Sequence, residues 1–254
     1  VDDVANPFAT AEMARQYHSG RPYHHKRTLS RALELAPVDR GPALDVACGT
    51  GLSTLALAEL GFDASGIDGA EVMLAIARAT TGLPFVVAAA ERLPRASASS
   101  ELVTVGSGVH WFDQAAFFEE AVRVLRPGGV LVLYDHTGVH LSDDESFAVW
   151  WRSEFAARFP TPPRGPVAGL ADAAPHGLET TVQERWIDSI AFTHDDLVRY
   201  LLTQSNVAHV LTDPEGRRAA EEWVAQETSR YFDADATRPF SFHVIVQCLR
   251  RDPA

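Results

Sequence analysis

Asp45 closes an apolar run and opens into a glycine-rich turn in the stretch LDVACGTGLST, Leu44–Thr54. Gly49 and Gly51 suit a turn that lets backbone approach a ligand closely, because glycine carries no Cβ. The same glycines fit a phosphate cradle, but two positions speak against one. A dinucleotide fingerprint wants a third glycine where Thr54 stands. Asp45 would also set a carboxylate beside a doubly anionic pyrophosphate, a repulsion of several kcal/mol at ~4 Å in a partly dry site. A ligand with a cationic end, an α-amino group or a sulfonium, suits that carboxylate better. Asp68 lies 17 residues beyond Gly51, where a carboxylate accepts hydrogen bonds from ribose hydroxyls. That feature serves either ligand. Glu91, His110 and Asp135 stand just past or at the end of later apolar runs.

The elements that must position these groups are legible as an alternation. Ala43–Ala47, Ala64–Asp68, Phe85–Ala89, Leu102–Gly106 and Val130–Asp135 read as buried strands. Ser53–Leu60, Glu71–Ala79 and Ala115–Leu125 between them have helical periodicity. Such alternation predicts an α/β fold with a mostly parallel sheet covered on both faces, and in open sheets of this kind ligands bind outside the carboxyl ends of the strands. Arg126-Pro-Gly-Gly129 reads as a stop between the last of these helices and its strand. Further on, Ser142-Asp-Asp-Glu145 reads as a capping box with Ser142 as the cap. Phe147, Trp151, Phe155 and Phe159 then recur every four residues, as on one helix face. A Pro/Gly-rich loop spans Pro160–Gly169. Thr181–Ile187 reads as a strand, Thr193–Leu202 as a helix, Asp213-Pro214 as the start of a helix reaching about Tyr231, and Phe242–Leu249 as a last strand.

Composition bounds the partners. The 254 residues carry a net charge of −12, which disfavours nucleic acid and anionic membranes. No apolar run reaches the ~18 residues of a membrane helix, and the first residues lack a secretory leader's pattern, so a cytoplasmic location is expected. Cys48 and Cys248 have no metal or redox spacing and are expected to be free, buried thiols. Lys26 is the single lysine; it is wrongly placed for a Walker A loop.

The motifs LDVACGTG, GIDGAEVMLAIA, AAAERLP, GSGVHWFD and RVLRPGGVLVL follow in order at natural spacing. Together they resemble the class I S-adenosylmethionine-dependent methyltransferases. The HWFD element and the early YHSGRP are similar to the small-molecule branch that includes trans-aconitate-type enzymes. The resemblance covers Tyr17 to about Leu133 strongly and the rest weakly. It implies a Rossmann-like, doubly wound, seven-stranded, mostly parallel sheet with a last antiparallel strand, helices on both faces and an inserted helical and loop cap. It further implies a single methyltransferase domain over 1–254: lid helices in 1–36, a cofactor core in 37–136, a substrate cap in 137–180 and the rest of the sheet in 181–254.

Carried over by position, the resemblance implies S-adenosyl-L-methionine as cofactor and S-adenosyl-L-homocysteine as product. Asp45, Ala47, Gly49 and Gly51 lie along the methionine part. Asp68 holds the ribose, Gly69 and Met73 flank the adenine, and Ala90 and Glu91 line its edge. Ser107 and His110 lie under the methionine and methyl. Tyr17 and Arg21 sit in a segment over the cofactor, where Arg21 pairs with its carboxylate. Two departures stand out. Ala47 replaces a frequent glycine and is tolerable at negative φ. Ala89 replaces an Asp that bonds the adenine amino group, a loss of ~0.5–1.5 kcal/mol.

Methyl transfer needs chiefly alignment, which supplies ~7–11 kcal/mol, and a base only where the nucleophile carries its proton. His110 is the first base candidate and His136 the second, the latter also as a substrate contact; for each, simple packing is the bland alternative. Trp111, Trp150 and Trp151 are candidates for an apolar substrate wall, although a helix stripe is more often core. His18, His24 and His25 read as surface residues, with His24 in reach of substrate. His136 and His140 beside Asp135 lack the oxygen ligands of a hard metal, so none is expected. The expected activity is methylation of an O, N or C nucleophile of a small organic molecule in secondary metabolism, by a monomer or homodimer. The alternatives are a non-methylating reaction on the same cofactor, such as cyclisation or decarboxylation, a nicotinamide oxidoreductase, and a cofactor-binding regulatory module.

Overall fold

A computed structural model of the chain describes residues 10–161, 177–211, 213–233 and 236–253. Most of the loop expected over Pro160–Gly169 and part of the expected cap lie outside them.

Strand and helix alternate from the start: α1 (Ala11–Gly20), α2 (His25–Leu35), β1 (Pro42–Val46), α3 (Leu52–Glu59), β2 (Asp63–Asp68), α4 (Glu71–Thr81), β3 (Phe85–Val87), β4 (Ser100–Gly106), α5 (Gln114–Val124) and β5 (Leu125–Leu141). Then follow α6 (Glu145–Trp150), α7 (Ala156–Arg158), β6 (Leu178–Phe192), α8 (His194–Leu202), α9 (Ser205–Val210), α10 (Pro214–Thr228) and β7 (Arg238–Arg251). The strands form one seven-stranded sheet in the order β3-β2-β1-β4-β5-β7-β6. β1 pairs in parallel with β2 and β4, β2 with β3, and β4 with β5. The sheet is mostly parallel and takes in an antiparallel strand, with helices around it. The order reverses between β1 and β4, the switch point at which open α/β sheets leave a crevice past their strand ends.

The first strands are apolar on both faces because both are covered. Leu44, Val46, Val103, Val105, Leu131 and Leu133 pack with Phe117, Phe118 and Ala121 of α5. Ala43, Leu102, Val130, Val132 and Tyr134 face Leu29 and Ala32 of α2 and Ala56 and Leu57 of α3. Each such buried Leu or Val contributes ~1.5–3 kcal/mol. Cys48 and Cys248 are free and buried, as expected.

By backbone proximity the chain divides into two compact units. One gathers the described residues of Val1–Pro22, Thr137–Pro163 and Ile187–His243, the other those of Tyr23–His136, Arg164–Trp186 and Val244–Ala254. The first has its own aromatic core, including Phe147, Trp150, Phe155, Phe159, Tyr231, Phe240 and Phe242.

Three local expectations are corrected. β5 starts at Leu125, ahead of Arg126-Pro-Gly-Gly129: Ser100 pairs with Leu125 and Leu102 with Val130, so the expected stop is looped out as a bulge within the strand. Asp144, not Ser142, caps α6, its carboxylate accepting from Ser146 N at 2.9 Å, while the Ser142 hydroxyl bonds Ser241. The aromatic stripe is not one regular helix, for Trp151–Phe155 forms a π turn. The wider turn brings Trp150, 1% exposed, into the core with Phe147, Phe155 and Phe159, and Trp151 is left half-buried. By contrast, α8 and α10 start as their sequences predict, α10 with Pro214 in its first turn and Asp213 capping Gly216 N.

Candidate functional site

The turn after β1 is held by Asp45. Its carboxylate is 1% exposed and accepts from Ser53 Oγ at 2.5 Å, Thr54 Oγ1 at 2.7 Å and Thr104 Oγ1 at 2.9 Å. Burial pushes its pKa up to about 6, the three hydroxyl bonds oppose that, and the nearby charge of Asp68 adds to it. Asp45 therefore ties α3, β4 and the turn together from behind, and does not line the open cleft as its sequence position suggested. Thr54, the residue that breaks the dinucleotide fingerprint, is one of its donors. Burial and the charges of Asp45 and Asp68 likewise push the Cys48 thiol well up.

Two further expectations about the turn change. Ala47 sits at φ +54, in the left-handed region, so its tolerance does not come from a negative φ. Gly51, at φ +82, is required by backbone and packing: a Cβ there would lie 2.9 Å from Ala77 Cβ and 3.0 Å from Phe85 Cζ. Gly49, at φ +54, ties the turn to β2. Its N–H donates to Asp68 Oδ2 at 2.9 Å, and Ala70 N donates to Asp68 Oδ1 at 2.8 Å, so the carboxylate at the end of β2 is fixed against the turn. Burial raises the Asp68 pKa against these backbone bonds. Beside it nothing stands within 4 Å of a Cβ built on Gly69.

Met73 and Ala90 are buried, at 4% and 6% exposure. Glu91 Oε1 accepts from Asp113 N at 2.8 Å and so anchors the loop before α5. That loop carries His110 and Trp111 in a short 3₁₀ turn; their rings lie 4.9 Å apart, and Trp111 is 42% exposed. Ser107, just past β4, is also left-handed, at φ +55, and its Oγ donates to Asp135 Oδ1 at 2.6 Å. Strain held at a strand end beside a fixed carboxylate is a frequent mark of function.

His136, within β5, sits in a cluster that the sequence reading missed. Its ring stacks on His24 at 3.4 Å and its Nε2 meets Thr28 Oγ1 at 3.0 Å. His25 Nδ1 meets the Tyr134 hydroxyl at 2.8 Å. His24 and His25 are thus half-buried partners, not surface residues. The available signal was the alternation of β5, which puts Tyr134 and His136 on one face. For Thr104 it was a lone hydroxyl inside an apolar strand, which has to find a partner.

Four candidates lie in the other unit. Arg21 Nη2 donates to the Thr203 carbonyl at 2.9 Å, and its guanidinium lies 4.7 Å from the Tyr17 ring centre and 5.5 Å from that of Tyr200. Trp150 is core, 5.8 Å from Trp223 and 1% exposed, so it lines no open wall. Trp151 stacks on Phe155 at 4.5 Å. Among the described residues no group of three or more His, Cys, Asp or Glu could hold a metal ion.

Residues 44–133 match the family described as "Methyltransferase domain". An uncharacterised methyltransferase of Mycobacterium bovis is 36% identical over 138 residues, 53% of this chain and 54% of that protein. A solved structure from Anaeromyxobacter dehalogenans, described as a type II methyltransferase, is 25% identical with a TM-score of 0.71, covering 92% of this chain and 97% of that one. A Haemonchus contortus phosphoethanolamine N-methyltransferase bound to S-adenosyl-L-methionine shares the fold at 16% identity and a TM-score of 0.51, covering 100% of this chain and 60% of that one. The chain spans about half the length of the curated relatives it matches. The site fits the same cofactor: Asp68 offers carboxylate oxygens suited to hydroxyl donors, Gly69 leaves space beside it, and the left-handed backbone at Ala47 and Gly49 shapes the turn next to them. Residues 44–133 are thus similar to a methyltransferase domain, and the chain shares the fold of solved methyltransferases.

Proposed function

We propose that this chain transfers the methyl group of S-adenosylmethionine to an O, N or C nucleophile of a small organic molecule in secondary metabolism. The reading rests on the turn after β1 being locked to the Asp68 carboxylate beside an open Gly69, at the switch point of the sheet. The bound cofactor supplies a methyl group already activated by its sulfonium.

The chain's residues bind, orient and exclude water. Asp68 accepts from the ribose hydroxyls, Gly69 and Met73 flank the adenine, and Ala90 and Glu91 stand at its edge. Ala47 and Gly49 present backbone to the methionine part. Ser107, held by Asp135, and His110 face the methyl, and Trp111 gives the acceptor an aromatic wall. Asp45 acts at one remove, by keeping the turn in shape. The net charge of −12 supports a small acceptor over a nucleic acid.

Isothermal titration tests this directly. S-adenosylmethionine and S-adenosylhomocysteine should both bind, and Asp68→Ala should weaken both by tenfold or more, the loss of about one charge-assisted hydrogen bond or more. Heat-silent titrations with both compounds, supported by equilibrium dialysis, would sink the reading.

A further inference from the structure

Among the described residues three non-glycine positions have a left-handed backbone. Two of them, Ala47 at φ +54 and Ser107 at φ +55, stand just past the neighbouring strands β1 and β4, at the switch point. The two strand ends touch, for a Cβ on Gly108 would lie 2.8 Å from Ala47 Cβ. Strain kept at adjacent strand ends points to a backbone fixed for function. On the face covered by α5, Val103 and Val105 of β4 lie in register with Leu131 and Leu133 of β5, all buried. Asp135 continues the second row, where the apolar face gives way to the crevice. Ser107 meets it there, its Oγ donating to Asp135 Oδ1 at 2.6 Å.

The carboxylates at the ends of β1 and β2 are committed. Both oxygens of Asp45 accept from hydroxyls, and both oxygens of Asp68 accept from backbone N–H groups. Asp135 differs. Ser107 holds its Oδ1, whereas its Oδ2 accepts no hydrogen bond from the described residues and is not closed off from solvent. No basic side chain among the described residues pairs with it. Asp135 is half-buried and Ser107 is exposed, so a ligand in the crevice can reach the pair. A partly desolvated carboxylate with an open oxygen and no counter-charge favours a cationic N–H donor. β5 is two strands from β1, roughly 10 Å across the sheet, so Asp135 stands well beyond the turn of Ala47 and Gly49. The short 3₁₀ turn Val109–Trp111 begins just after Ser107 and adds an apolar surface, Trp111 being 42% exposed.

We propose that Asp135 determines which acceptors this site takes: its Oδ2 receives the ammonium group of a small molecule that carries a protonated amine, with the apolar body of that molecule against Trp111. This rests on the methyltransferase reading above. Ser107 is a positioning residue, which aims the carboxylate by holding Oδ1. The ammonium is a handle, with no lone pair to offer the methyl while it is held. A carboxylate or phosphate at the same place on the acceptor is repelled. A hydroxyl there gains a hydrogen bond without the attraction of opposite charges.

Isothermal titration of the full chain saturated with S-adenosylhomocysteine tests this with three probes of similar size: phenethylamine, phenethyl alcohol and hydrocinnamate. The parent should bind the amine about tenfold or more tightly than either of the others. Asp135→Asn removes the charge but keeps an amide oxygen for Ser107. It should weaken the amine by about tenfold or more, while the alcohol and S-adenosylhomocysteine stay within about threefold of the parent. Ser107→Ala should weaken the amine less than Asp135→Asn does. An amine that does not bind, or binds no better than the alcohol, overturns the proposal, as does an Asp135→Asn variant that keeps the preference. A variant that loses S-adenosylhomocysteine as strongly as the amine also overturns it, because Asp135 would then serve the cofactor. Failure of the parent to bind S-adenosylhomocysteine would instead defeat the methyltransferase reading. The same amine titration on the chain without cofactor would then decide whether Asp135 holds an ammonium group.

Discussion

Asp45 and Ala47 show how much a side chain's surroundings change what its identity suggests. Asp45 looks like a cation-binding group in the sequence; in the fold it is a buried tie whose pKa is pushed up to about 6. A raised value means that the folded protein holds this proton more tightly than the unfolded chain. The associated stability is fully present below the unfolded pKa of ~4 and is lost as pH rises through about 6. Asp45→Asn removes that titration and with it the charge that acts on Cys48. The difference in unfolding free energy, parent minus variant, should fall by about 3 kcal/mol in total as pH crosses this window. Urea midpoints at pH 4.5 and 7.5 measure most of it, and a difference that stays constant or rises would refute the assignment. Ala47 bears a left-handed φ that costs a residue with a Cβ ~1–2 kcal/mol, partly offset by the lower entropy of the unfolded alanine chain. Ala47→Gly should therefore raise stability by up to about 1 kcal/mol, visible as a higher thermal midpoint. An unchanged or lower midpoint would show that the methyl group's packing outweighs the strain.

Elements were legible where one local signal decided them. The first four strands, α3 to α5 and the start of α10 fall within a few residues of the sequence reading, because apolar runs and a proline in a first turn need no distant partner. Where two local signals competed, tertiary pairing chose. Ser142 and Asp144 are both cap residues, and Ser142 was drawn off by Ser241, 99 positions away. Arg126-Pro-Gly-Gly129 reads as a break, yet β4 carries the pairing past it by bulging the loop out. The aromatic stripe kept its four-residue rhythm only through a π turn, which brought Trp150 inward. The site divides in the same way. The glycine turn, Asp68 and the loop of His110 were visible as motifs, and the Asp45 hydroxyl cage and the His24–His136 stack were not. Each of these joins residues 59 or more positions apart, through β4 in one case and α2 in the other.

At the scale of the molecule the two compact units raise the question of whether the chain is one cooperative body. Each unit is assembled from three separate stretches, and β5, β6 and β7 each carry residues of both. Melting either core would thus unpair strands whose continuations belong to the other. Two-state unfolding, the mark of a single cooperative body, is therefore the expected behaviour. Trp150, Trp151 and Trp223 lie in one unit, and Trp111 and Trp186 in the other. A Trp111→Phe/Trp186→Phe variant therefore reports the first unit alone by fluorescence, while far-UV circular dichroism reports the whole sheet. The two urea transitions should share one midpoint. Midpoints separated beyond error would mean that the aromatic core opens by itself, and that the chain folds as two domains despite its shared strands.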